Sequence, residues 1–114
     1  MDEKILKLLY DIQIAIKEID VFFEQNPSDF IKYRSNIILK RATERELEII
    51  GEAVNRILKI HPDFPLENAR NIVGLRNQVI HAYDTISDEN IWVIITKHIP
   101  LLKIEIQELI NQAE

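Results

Sequence analysis

The scarcity of helix breakers constrains this chain more than any other feature. Two glycines and four prolines stand among 114 residues, so long stretches run without interruption. That pattern favours helices over the turn-rich layout of a sandwich or barrel. The length suits one domain, residues 1–114, built on one core.

Hydrophobic periodicity predicts four helical segments. In the first, Ile5, Leu8, Leu9, Ile12, Ala15, Ile16, Ile19, Phe22 and Phe23 recur at three- and four-residue spacing, and Asn26-Pro27 ends it. After a turn region at Ser28-Asp29-Phe30, a second runs to about Ile60, with Leu39, Thr43, Ile50, Val54 and Ile57 on one side. His61-Pro-Asp-Phe-Pro65 breaks it, because a residue before proline is pushed away from helix geometry. A third spans about Leu66 to Tyr83. The fourth starts near Asn90, with Ser87 as its N-cap and Asp88 and Glu89 at the positive end of its dipole. It carries Ile91, Trp92, Ile95, Leu102, Ile106 and Leu109 inward, and Pro100 should kink or split it. Short connections make adjacent helices antiparallel, so the expected architecture is an all-α, up-and-down four-helix bundle.

Composition narrows the function classes. There is no cysteine, which excludes disulfides, thiolate catalysis and Cys-based zinc sites. The N-terminus is a poor signal peptide and no 18-residue apolar run exists, so a cytoplasmic protein without membrane contact is expected. A net charge of −5 argues against a general nucleic-acid coat protein. A role on nucleic acid requires a small cationic site on an acidic body.

One stretch supplies such a site. Residues 74–83 read G-L-R-N-Q-V-I-H-A-Y. On a helix, Arg76 is centred on an apolar face, with Ala69, Val73 and Ile80 within about 60° on one side and Ile72, Val79 and Tyr83 within about 60° on the other. Asn77 and His81, four residues apart, share a second face near Gly74. An unpaired arginine in a core costs several kcal/mol, so Arg76 needs an acid or an outlet to solvent. Glu46, on the same side of the second helix as Ile50, Ala53 and Ile57, is the expected partner.

Arg76-Asn77, three residues, then His81-Ala82-Tyr83 matches the R-N-x-x-x-H-x-Y signature of HEPN domains. More narrowly, the chain resembles the HepT-type toxins. The segment R-A-T-E-R-E-L-E-I-I-G-E-A at 41–53 is similar to the family's second helix, and Ile91 to Leu102 to its last. One departure is Leu66, where many relatives carry tryptophan.

The resemblance implies a homodimeric HEPN bundle whose two motifs face one cleft. It implies a metal-independent endoribonuclease needing no cofactor, acting on RNA through Arg76, His81 and Asn77. Glu46, placed by helix geometry rather than by the resemblance, is the supporting residue through its expected pairing with Arg76. It also implies a nucleotidyltransferase antitoxin that neutralises the toxin by attaching AMP to Tyr83. The residue types suit this chemistry. Metal-free RNA cleavage needs a base for the 2′-hydroxyl, a cation for the phosphorane and an acid for the leaving oxygen. The second reading is a non-catalytic HEPN module that binds a partner nucleotidyltransferase or a nucleotide; the intact Arg-Asn-His set favours the nuclease. A metal site from His61, His81 and His98 is disfavoured, since no carboxylate accompanies them at ligand spacing. Lys32, Arg34, Lys40, Arg41 and Arg45 form a basic cluster that reads most simply as a solvated helical face.

Overall fold

The computed structural model describes residues 2–25, 29–70, 72 and 88–113. Helix α1 spans Glu3–Gln25. Asp2 caps it: its carboxylate accepts from the backbone N–H of Lys4 at 2.7 Å and of Ile5 at 3.3 Å. The predicted stripe is its inward face, with Ile5, Leu9, Ile12, Ala15, Ile16 and Ile19 buried.

The expected second helix is two helices. Helix α2, Phe30–Ser35, is capped by Asp29, which accepts from the N–H groups of Ile31 and Lys32. Helix α3 spans Ile37–Ile60. Between them Asn36 adopts an extended conformation, donates its N–H to the Tyr33 carbonyl and accepts the Leu39 N–H at 3.0 Å on its side chain. One asparagine thus ends α2 and begins α3, because a short amide satisfies helix donors better outside a helix than within one. Leu39, Thr43, Ile50, Val54 and Ile57 are buried on α3, as their spacing predicts.

Helix α3 stops where His61-Pro62 requires. His61 is extended and its N–H closes the last turn on the Ile57 carbonyl. The following loop is pinned inward by Phe64 and Leu66, both buried, and residues 67–70 and 72 are helical. Beyond the motif, helix α4, Asp88–Val93, passes through a π turn at Ile94–His98 into helix α5, Ile99–Ala113. Pro100 does not split this rod. The Ile99 N–H reaches back five residues to the Ile94 carbonyl, a register change just ahead of the residue that lacks an N–H.

Helix α1 packs on both α3 and α5, while α2 bridges α3 and α4. Gln13 binds Gln107 at 2.8 Å and Lys103 binds Asp20 at 2.7 Å. Partners descend along α5 as they ascend along α1, so the two run antiparallel. One continuous core results, from Ile5 at one end to Tyr33 at the other. Phe23, Phe30, Tyr33 and Trp92 close that second end, with ring centroids 5.5–6.1 Å apart in tilted and edge-on pairs. The chain is all-α, and among the described residues there is no strand.

Candidate functional site

Arg76, Asn77, His81 and Tyr83 lie outside the described residues, as does Ser87. What is described is the framework on both sides of them. On the leading side, Ala69 and Ile72 belong to the apolar face predicted for the third helix, and both are fully buried.

That leading side is fastened to the last helix. Glu105 on α5 accepts from the Asn68 backbone N–H at 3.3 Å and from its side-chain Nδ2 at 3.1 Å. A carboxylate there satisfies a helix-start donor and complements the positive end of the dipole. Burial raises the Glu105 carboxyl above the usual carboxylate range, and the Asn68 hydrogen bonds work against that rise. Sequence reasoning missed this residue. The available signal was a glutamate beside Leu102, Ile106 and Leu109 on the inward stripe of α5.

The far side of the motif is fastened to α3. Lys40 Nζ lies 3.1 Å from the Asp88 carboxylate, and each side chain retains only 21% and 24% of its exposure. Lys40 therefore serves this pair rather than an open basic face. Arg45 is 3.5 Å from Glu48. Lys32, Arg34 and Arg41 are exposed.

Glu46 occupies the inward position expected of it, beside buried Ile50, Ala53 and Ile57. It is 6% exposed, and its Oε2 has no hydrogen-bond partner among the described residues. Burial and then the charge of Glu18 hold its carboxyl above the usual range, only partly offset by Arg45. The Arg76 end of the expected Arg76–Glu46 pair lies outside the described residues. Of the three histidines, His61 is exposed with its ring edge-on to Phe64 at 5.7 Å, and His98 is half-buried on the π turn. Among the described residues no group of three His, Asp or Glu side chains is placed to hold a metal ion, and no helix is long and apolar enough to cross a membrane.

An all-helical bundle with R-N-x-x-x-H-x-Y between its anchored segments is of the HEPN kind. The chain belongs to the ribonuclease HepT-like family, whose profile matches residues 12–109 and so spans both the motif and Glu46. It is 32% identical over 107 residues to "Putative RNase MJ0125" of Methanocaldococcus jannaschii, covering 93% of this chain and 90% of that protein. It is 36% identical over 88 residues to "Putative RNase TTE0752" of Caldanaerobacter subterraneus subsp. tengcongensis, covering 74% and 73%. It is also 35% identical over 72 residues to "Probable ribonuclease HepT" of Thermococcus cleftensis, covering 60% and 63%. No solved structure matches it.

Proposed function

We propose that the chain is the toxin of a toxin–antitoxin pair: a cytoplasmic, metal-independent endoribonuclease acting at a composite site between two copies. The observation that carries this reading is the complete Arg76, Asn77, His81, Tyr83 set within the region matched by a ribonuclease family. Relatives bearing ribonuclease names support it.

The chemistry assigns each residue a task. His81 of one copy takes the proton of the ribose 2′-hydroxyl, whose oxygen attacks the adjacent phosphorus. Negative charge grows on the phosphorane oxygens, and the Arg76 guanidinium, charged at all relevant pH, offers them a planar fork. The second copy's His81, protonated, hands its proton to the departing 5′-oxygen. The products are a 2′,3′-cyclic phosphate and a free 5′-hydroxyl. Imidazole suits both roles because its ordinary pKa lies near 6.5. Asn77, one turn before His81, donates to a phosphate oxygen or fixes the ring. A partner nucleotidyltransferase that attaches AMP to Tyr83 would set negative charge and bulk where RNA phosphate must sit.

The test is cleavage of RNA by the chain purified without any partner, in EDTA, beside His81→Ala of matching helicity. Cleavage by the parent alone is expected. Activity in both would remove His81 from the chemistry. Inactivity of both, with Tyr83 shown unmodified by mass, would make the chain a binding module.

A further inference from the structure

A groove of about 400 Å³ runs between α1 and α3, away from the two anchors of the motif segment. Its floor is apolar, with Leu8, Ala15, Ile49 and Ala53, and its walls carry Asp11, Glu18, Glu46, Glu48 and Glu52. Three of those carboxylates are balanced at the rim: Asp11 by Lys7 at 3.1 Å, Glu48 by Arg45 at 3.5 Å and Glu52 by Arg56 at 3.3 Å. Glu46, the most buried carboxylate of the groove, is not balanced in that way, and neither is the exposed Glu18 beside it. The charge of Glu18 adds to the cost of ionising Glu46, and neither residue forms an ion pair among the described residues. Glu46 is the unusual one, 6% exposed with a carboxylate oxygen that no donor meets. A buried, unpaired carboxylate is expensive and marks a place where a counter-charge belongs.

We infer that this groove is a docking site for a partner protein that inserts one arginine or lysine side chain, its head on Glu46 and Glu18 and its stem along the apolar floor. The volume accommodates one long side chain, and a snorkelling cation combines the apolar stem and charged head that the lining asks for. A compact metal ion fits poorly, since no three described carboxylates converge. A free polyamine would leave the lip uncovered. Ile14, 53% exposed, forms that lip, and Val21, 46% exposed, continues it on the same face of α1. Covering exposed isoleucine and valine beside a buried charge is what a protein surface does. A second copy docking groove to groove by two-fold symmetry would set carboxylates against carboxylates. The inference does not need RNA cleavage to hold, but it shares Glu46 with the expected Arg76–Glu46 pair, which is why Arg76→Ala enters the test.

The test uses the full chain and two capped amphipathic helical peptides, one with a central arginine and one with citrulline, its neutral isostere. Fluorescence anisotropy should show the arginine peptide binding about tenfold or more tightly, the scale of a charge-assisted hydrogen bond. Glu46→Gln should bind both peptides alike, while Glu108→Gln, on an exposed position of α5, should retain the preference. Thermal melts of Glu46→Gln at or above the parent would show that the loss is not unfolding. No binding, or equal binding of the two peptides by the parent, overturns the inference. So does displacement of the arginine peptide by equimolar spermidine, which assigns the groove to a polyamine. A monomer–dimer equilibrium shifted by Glu46→Gln assigns it to a second copy, and tighter peptide binding by Arg76→Ala assigns the counter-charge to this chain's own arginine.

Discussion

Lys40 and Asp88, 48 residues apart in sequence, meet at 3.1 Å and tie the first turn of α4 to α3. The pair stands among further acidic charge. Glu44 is raised above the usual carboxylate range by burial, lowered by Lys40 and raised again by Asp88. Lys40 thus pairs with Asp88, and its charge also favours the ionised form of Glu44, both carboxylates acting on the buried Tyr33. Lys40→Met should cost about 1–3 kcal/mol, because it strands partly buried negative charge rather than removing a surface pair. Urea denaturation at pH 7 measures this. A loss below a few tenths of a kcal/mol would reduce the contact to an ordinary exposed bridge.

The other anchor makes a local prediction. Glu105→Ala removes the one carboxylate oxygen, Oε2, that accepts both Asn68 hydrogen bonds at the start of the motif-bearing segment. The loss should be about 1–2 kcal/mol of stability, typical of a lost cap. More tellingly, the Asn68 amide should exchange with solvent faster than in the parent, while Ile50 in the middle of α3 keeps its protection. Uniform acceleration at both sites would mean global destabilisation instead of a loosened anchor.

Much of this framework was legible in the sequence. The stripes of α1, α3 and the α4–α5 rod were read correctly because deeply buried aliphatic residues repeat at helical spacing with few breakers between them. The break after Ile60 was legible because proline constrains its predecessor. Asn36 was missed for a physical reason: the apolar pattern on both sides of it suits helix, and only its side-chain bond to Leu39 reveals the boundary. The register change before Pro100 was half legible, since a missing N–H signals trouble without saying whether a break or a π turn resolves it. For the site, Glu46 was marked by its misplaced charge, but its neighbour Glu18 was not, because Glu18 is exposed and unremarkable until α1 and α3 pack. The motif residues themselves rest on sequence and family membership.

Glu46 also sets a pH signature. Its folded carboxyl is raised above the unfolded value by burial and Glu18, so the folded state holds this proton more tightly than the unfolded chain does. The resulting stability is present in full below the ordinary carboxylate range and is lost as pH rises through the raised folded value. Glu46→Gln is indifferent to that titration. At pH 7 the variant should match the parent or exceed it by up to about 1 kcal/mol. As pH falls from 7 towards 4.5 the parent should gain on the variant. Paired thermal melts across that range check it, and a gap that opens in the variant's favour on acidification would contradict the raised value.

Tyr33 offers the matching neutral case. Its ring is 1% exposed among Phe23 and Trp92, and its hydroxyl has no hydrogen-bond partner among the described residues. Burial, then Glu44 and Asp88, push its ionisation far above the ordinary tyrosine range, so the hydroxyl stays neutral throughout. Tyr33→Phe keeps the packing and deletes an unsatisfied polar atom. It should leave stability unchanged or raise it by about 0.5–1.5 kcal/mol. A loss of more than 1 kcal/mol by urea denaturation would mean that the hydroxyl is satisfied in solution.

The proposed composite site makes a prediction that separates it from two independent sites. If one histidine acts as base and the other as acid, a dimer with a single His81 lacks one of the two proton transfers. Parent and His81→Ala chains, unfolded together, mixed equally and refolded, should assort at random, leaving about one quarter of dimers with both histidines. Activity per total chain should then fall to about one quarter of the parent's, and should follow the square of the parent fraction across other ratios. Two independent sites would give one half and a straight line. A linear result with full parent activity would retain Arg76 and His81 as catalytic and dissolve the shared cleft, because each copy would then complete both proton transfers alone.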